Sequence, residues 1–456
     1  MAALLPFWAV AAAAAASATS STASSADKFV LIHVAASPPG TAAVAGACTK
    51  QNATCFTCTD LHAALAEAEQ VLQQQPADVH VSFGGAQHDG PYAVRAPEPG
   101  SGTLELRGVG DEAALDGGGR RALLSVTHGS LHISAVAFRN GWVNATDSSW
   151  YRATKDKAPV TALCGGAHFT DCRFEHNRGV DGGALLLEGG AHTLRRCRFS
   201  DNQGYGGGDG GAHDTGGGGA VMAVRATLEI EGSFFEDNVA TDPPGTPHTK
   251  GHPGKIAPGK SGKEGLGHTG THHGGAVMGV EAHIVSRDST FARGNAYQGG
   301  ALYMWMWGTI EAINTTFINN TAIGATHNTG GAIFSDRGSV LLRDCRFIGN
   351  VANASGGALF AWSAHGSCKN VTSGGGAGGL PRQSCQNITM EGVEFVGNVA
   401  RGHAGGGALG NQWSTFVVRN CSCRGNSHPA VWTDGGSTTN MTDSATCHGK
   451  QAQHAG

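Results

Sequence analysis

The chain is short of charge. Lys, Arg, Asp and Glu make up 14% of its 456 residues, where soluble domains average about 25%. That excludes a charge-laced coiled coil and a highly charged disordered chain. The charges present nearly cancel, to −4, and leave no electrostatic footprint for nucleic acid. Proline is scarce at 15 residues, and the glycines follow no Gly-X-Y period, which excludes collagen. Beyond the N-terminus no apolar run reaches about 18 residues, so no membrane-spanning helix is expected. What the chain has in excess is glycine, 72 residues or about 16% against the usual ~7%. With 40% hydrophobic residues, this composition reads as a soluble all-β chain.

Residues 1–18 read as a secretory signal peptide, an apolar stretch from Ala2 to Ala16 closed by the small Ala16-Ser17-Ala18. Nine Asn-x-Ser/Thr sequons follow, at Asn52, Asn144, Asn314, Asn319, Asn353, Asn370, Asn387, Asn420 and Asn440. Chance predicts roughly three, and a sequon is a glycosylation acceptor only in a secretory chain. A secreted, extracellular or cell-surface location is expected.

The main feature is an internal repeat. Gly-Gly-Ala followed by an aliphatic residue occurs seven times, ending at Leu185, Val221, Val277, Leu302, Ile333, Leu359 and Leu409. Alternating with it is Phe-x-x-Asn, at Phe174/Asn177, Phe199/Asn202, Phe235/Asn238, Phe317/Asn320, Phe347/Asn350 and Phe395/Asn398. Phe291/Asn295 carries one extra residue, and Cys423/Asn426 keeps the Asn without the Phe. Uninterrupted spacing is 25 or 26 residues, the range of stacked-repeat architectures. Alternating apolar positions after Gly-Gly-Ala and before Phe predict three short strands per coil, with Asn in a left-handed turn and Gly-Gly at another. The outcome is a right-handed parallel β-helix over residues 76–432, with insertions at about 141–160, 242–273 and 363–386. Residues 19–58 read as a Cys-containing lead-in, residues 59–75 as a capping helix over the open end, and residues 433–456 as a tail.

These motifs resemble the chlamydial polymorphic outer membrane protein repeat and, more broadly, the pectin-lyase-like parallel β-helix superfamily. The resemblance covers about residues 165–426. It implies a solenoid; the bacterial proteins are adhesins with a C-terminal membrane barrel, and nothing after Asn426 resembles one. Enzymes of the superfamily act on acidic polysaccharides, with clustered Asp for calcium or with paired carboxylates. Fold likeness alone assigns no activity.

Several constellations could carry function. On three successive coils the outward positions hold Tyr303, Trp305, Trp307, then Phe334 and Asp336, then Phe360 and Trp362. At the ~4.8 Å interstrand spacing, Tyr303, Phe334 and Phe360 form one ladder, and Trp305 and Trp362 flank Asp336 in the next. Exposed apolar surface of that size marks an interface, and flat aromatics suit sugar faces; the alternative is an insertion folding over the stripe. Asp181, Asp201, Asp209, Asp214 and Asp237 cluster near turns and could bind calcium, but no coil presents an Asp-Asp pair at strand spacing, and Glu188 stands alone. No catalytic residue, cofactor or metal site is assigned, calcium entering only in an enzymatic reading. The loop holding His248, His252, His268, His272 and His273 lacks the spacing of a zinc motif. Cys172 and Cys197 share an inward position on adjacent coils, which suits a disulfide or a stack of buried thiols; Cys368 and Cys385 bracket one insertion and are expected to pair. The resulting expectation is a secreted or surface-displayed glycoprotein binding a glycan or a cell-surface partner. The alternatives are a polysaccharide lyase, hydrolase or epimerase, and a structural wall or matrix protein.

Overall fold

Each Gly-Gly-Ala and Phe-x-x-Asn pair winds the chain once around a common axis. The computed structural model describes residues 29–35, 48–52, 54–87, 90–98, 102–143, 158–205, 217–241, 272–323, 328–363, 387–402, 405–427, 429–434, 437–442 and 446–447. The expected signal peptide and most of each expected insertion lie outside the described residues. A representative coil runs Leu302–Trp305, Thr309–Ile313, Thr316–Ile318 and Thr321–Ala322. Each strand pairs in parallel with its counterpart one coil on, Leu302 with Ile333, Thr309 with Ser339, Thr316 with Arg346 and Thr321 with Val351. The chain is therefore a parallel β-helix. Three strands per coil were expected, and a fourth exists: the short strands from Arg178–Gly179 to Val399–Ala400 form their own seven-stranded sheet. Only two or three residues alternate there, with one small side chain such as Ala296, Ala322 or Ala352 buried, too short a pattern to separate from a turn. Among the described residues no helix is long and apolar enough to cross a membrane.

Two side-chain columns run the length of the core. The rings of Phe138, Phe174, Phe199, Phe235, Phe291, Phe317, Phe347 and Phe395 stack with centroids 4.4–5.2 Å apart and planes within 20°. Beside them runs an amide ladder. Asn350 Nδ2 donates to the Phe317 carbonyl at 3.0 Å and to Asn398 Oδ1 at 2.9 Å. Its Oδ1 accepts from the backbone N–H and Nδ2 of Asn320. Every polar atom of that buried side chain thus finds a partner, as burial requires. The left-handed residue of this turn is not the Asn, as expected, but the residue before it: His176, Asp201, Asp237, Arg293 and Asn319 have φ of 52–58°. That leaves the Asn side chain aligned with the axis.

The ladder has one gap. The slot three residues after Phe291 is filled by Gly294, while Asn295, expected as the ladder residue, stands one position beyond it and only half-buried. Gly294 N–H donates to Asn320 Oδ1 at 2.9 Å. A Cβ there would lie 2.2 Å from the Gly300 carbonyl oxygen, so no side chain fits. The ladder splits into a run from Asn177 to Asn238 and another from Asn320 to Asn426.

The two glycines of Gly-Gly-Ala do different jobs. The first is left-handed, for example Gly299 at φ 63° and Gly330 at φ 67°, a conformation other residues avoid. The second faces the coil above: a Cβ on Gly300 or Gly331 would meet the next coil's glycine carbonyl oxygen at 2.3 or 2.1 Å.

Both ends depart from expectation. The lead-in is not a linker. It carries β1 (Phe29–Val34), β2 (Cys48–Asn52) and β3 (Cys55–Cys58). β1 lies between β3 and β4 (Ala77–Gln87), parallel to both. The helix α1 (Leu61–Gln74) starts where Asp60 accepts from the Ala63 N–H at 2.8 Å, and buries Leu61, Ala64, Leu65, Ala68 and Val71. A Cys48–Cys58 disulfide ties β2 to β3. The presumed tail also belongs to the solenoid, since Thr438–Met441 pairs with Thr415–Arg419. Cys423 takes the Phe slot in the last coil and is bonded to the buried Cys447. These end segments lack the repeat motifs, so periodicity could not place them.

Of the two readings left open for Cys172 and Cys197, the disulfide is corrected and the stack of buried thiols holds: both are free, as are Cys345 and Cys421. Each Sγ donates to the carbonyl two residues back, at 3.1–3.4 Å. Ser233 and Thr315 make the same bond with a hydroxyl at that position, each at 3.0 Å. The thiol therefore stands in for a hydroxyl in a buried column. Burial pushes the Cys172 thiol well above its ordinary value and Cys345 to about 11. Cys368 and Cys385 lie outside the described residues.

Asn350→Ala is expected to cost roughly 3 kcal/mol in denaturant unfolding, because it strands several buried donors and acceptors at once. Gly294→Asn is expected to destabilise as well, and a more stable variant would show that the slot has room. A thiol reagent added to the native protein is expected to leave Cys172, Cys197, Cys345 and Cys421 unmodified until the chain is unfolded, and labelling without unfolding would contradict the buried column.

Candidate functional site

The outward aromatic residues fall into the two expected ladders. Tyr303, Phe334 and Phe360 are in register, as are Trp305, Asp336 and Trp362. Leu186, Met222 and Met278 extend the first ladder on one side, Gly410 and Trp432 on the other. The stripe is not an exposed surface, however: Tyr303, Trp305, Phe334 and Phe360 are 3, 7, 3 and 5% exposed. The segment leading into each Gly-Gly turn lies against them. His273 stacks on Tyr303 at 4.1 Å and 10°. Gly217 passes so close to Met278 that a Cβ would meet its Sδ at 2.5 Å. The aromatic ladder is thus the spine of a second, lateral core, the alternative stated for it above, covered in part by the end of the His-rich loop. Burial beside His272 pulls His273 down to about 3, so it is neutral in this stack.

One part of the stripe remains accessible. Trp307 and Trp362 are half-buried, and so is Arg337 between their coils. The turn Trp305-Met306-Trp307-Gly308 is one residue longer than its neighbour Asp336-Arg337-Gly338. The extra residue is accommodated with two consecutive left-handed residues, Met306 at φ 55° and Trp307 at φ 36°. For a bulky aromatic that is a strained conformation, and such strain gathers at functional sites. The bulge is tied to the next coil, Met306 N–H donating to the Asp336 carbonyl at 3.0 Å and Trp307 N–H to the Arg337 carbonyl at 3.1 Å. Gly308 is required below it, since a Cβ would meet the Ala282 carbonyl oxygen at 2.5 Å.

Charge converges on the same point. The Arg337 guanidinium lies over the Trp307 ring, 5.8 Å from its centroid, and its Nε donates to Asp336 Oδ1 at 2.9 Å. Burial pushes the Asp336 carboxyl above the usual carboxylate range, with Arg337 opposing the shift. The result is an indole with a cation over one face and an acid holding that cation, an amphipathic group fit to pack on a ring and hydrogen-bond its substituents. Arg337 was missed from sequence; the extra residue at Met306-Trp307 was the available signal.

The acidic candidates do not assemble. Asp181 is buried, Asp201 is exposed, and Asp237 is paired with Arg293 at 2.8 and 2.9 Å. Glu188 pairs with Arg225. Asp209, Asp214, His248, His252 and His268 lie outside the described residues. Among the described residues no group of three or more His, Cys, Asp or Glu is placed to hold a metal ion.

The sequence model of the Chlamydia polymorphic membrane protein repeat matches residues 314–336. That span holds Phe317-x-x-Asn320 and Gly330-Gly331-Ala332-Ile333 and ends on Asp336. Comparison with curated proteins and with solved structures finds no match.

The raised Asp336 pKa fixes the sign of a pH effect. The folded chain holds this proton more tightly than the unfolded one, so ionisation removes stability as pH rises above the usual carboxylate value. The stability of Asp336→Asn relative to wild type is therefore expected to increase with pH across the carboxylate range. A difference that falls with pH would mean Arg337 stabilises the carboxylate by more than burial penalises it.

Proposed function

We propose that this solenoid is a secreted or surface-displayed, non-enzymatic binding protein that engages a glycan or a cell-surface partner. The observation that carries the reading is Trp307, held half-exposed in a strained two-residue bulge with Arg337 over its face and Asp336 and Trp362 beside it. A cation parked on an indole face and anchored by a buried acid presents a rigid, amphipathic surface, the arrangement that saccharide rings and protein hot spots both use. The likeness of residues 314–336 to a repeat of chlamydial membrane proteins supports display at a surface. The scattered, ion-paired acids favour binding over turnover.

The test is a panel of polysaccharides presented to the purified protein with and without calcium, read in parallel for retention and for new reducing ends or unsaturated uronate. Retention without turnover is expected, weakened about tenfold by Trp307→Ala or Arg337→Ala, the equivalent of ~1.4 kcal/mol. Turnover of any member would overturn the non-enzymatic reading. Trp305 is a poor probe, since its burial makes Trp305→Ala a stability variant.

A further inference from the structure

The fold sorts the asparagines. Of the twenty in the chain, the exposed ones among the described residues are Asn52, Asn314, Asn319, Asn387, Asn420 and Asn440. All six begin an Asn-x-Ser/Thr sequon. The fully buried ones include Asn177, Asn202, Asn238, Asn320, Asn350 and Asn398 of the amide ladder, together with Asn328 and Asn411, and none of these eight begins a sequon. The half-buried class holds Asn140, Asn295, Asn353 and Asn426, of which Asn353 alone is in a sequon. Along the ladder the fold itself fills the third sequon position, since Gly179, Gly204, Ala240, Ala322, Ala352 and Ala400 are small residues buried two positions after the Asn. Asn320 is followed by Thr321, one position from completing the motif.

We infer that Asn52, Asn314, Asn319, Asn387, Asn420 and Asn440 carry N-linked oligosaccharides, and that the sequence keeps sequons off every asparagine whose side chain the fold needs. The reason is steric. An oligosaccharide on Nδ2 of Asn350 would replace a hydrogen that donates inside the core, whereas the exposed asparagines have room beyond the amide. Asn314 keeps a use for its remaining amide hydrogen, since Nδ2 donates to Asp288 Oδ1 at 2.6 Å. In the modification, Nδ2 attacks C1 of a lipid-linked oligosaccharide diphosphate. The N–C bond forms, the C1–O bond to phosphate breaks, the lipid diphosphate leaves, and the amide gives up one proton.

Four of the six sites also lie along one strand and the turn that follows it. Asn314 and Asn420 occupy the same turn, linked through Asp344 and Gly392 by the coil-to-coil bonds Asn314 N–H to Arg343 O, Asp344 N–H to Glu391 O and Gly392 N–H to Arg419 O. Asn387 and Asn440 lie on the strands that lead into that turn. Four glycans would therefore form a stripe along one face of the C-terminal coils. This inference rests on the secreted or surface-displayed location proposed above, and not on the binding role.

The test is peptide mapping of the protein isolated from the cells that make it, after enzymatic release of N-glycans in heavy-oxygen water, which converts each occupied Asn to labelled Asp. Label is expected at the six exposed positions in most molecules and at none of the eight buried ones. Absence of label at the exposed positions overturns the inference, and so does label on a ladder asparagine. Label on Asn353 at the level of the exposed sites would overturn the claim that folded exposure is what admits the glycan.

Discussion

The distance between one coil and the next is set by parallel strand pairing, and at one turn it leaves room for glycine alone. The second glycine of each Gly-Gly-Ala lies with its missing Cβ a little over 2 Å from the carbonyl oxygen above it. Backbone thus meets backbone, and the rise of the solenoid is held at the spacing of paired strands, about 4.8 Å. The phenylalanine rings are separated by 4.4–5.2 Å, which is that same rise transmitted to side chains. The amide ladder needs it too, because each Asn spans from the carbonyl of one coil to the amide of another. An alanine at the second glycine would not merely crowd one turn; it would ask every column to stretch at that coil.

A repeating rise also determines where novelty can appear. Residues that stack identically on each coil cannot form a localised recognition surface, and most of the outward aromatic ladder is consumed in packing the lateral core. The accessible chemistry lies where the repeat is broken by a single extra residue, at Met306-Trp307. There the chain leaves the common path, exposes one indole, and places Arg337 of the following coil over it. The solenoid supplies rigidity, and the irregularity supplies the site.

Much of this was legible in sequence. Gly-Gly-Ala and Phe-x-x-Asn encode the axial repeat because each residue type answers a distinct geometric need, so their alternation identified a parallel β-helix and the register of Tyr303, Phe334 and Phe360. Exposure was not legible. Outwardness from one strand does not mean contact with water when a neighbouring segment, here His272 to Gly275, folds against it. The ends were hidden because β1 and the strand Thr438–Met441 carry no motif, their places fixed by parallel pairing with β3 and β4 and with Thr415–Arg419. For Cys172 and Cys197 the choice between a bridge and a stack of buried thiols stayed open, because adjacency was visible while the carbonyl that each sulfur serves was not.

The vacancy at Gly294 divides the solenoid in a way the sheets conceal. In a stack of repeats, stability is a sum of what each coil holds within itself and what it shares with its neighbours. Across this coil the backbone pairing and the ring column continue, but the amide relay does not. The amide column is thus two runs, one ending at Asn238 and the other beginning at Asn320, and the coil between them is the joint where side-chain hydrogen bonding is least. Such a joint is where unzipping from either end should halt.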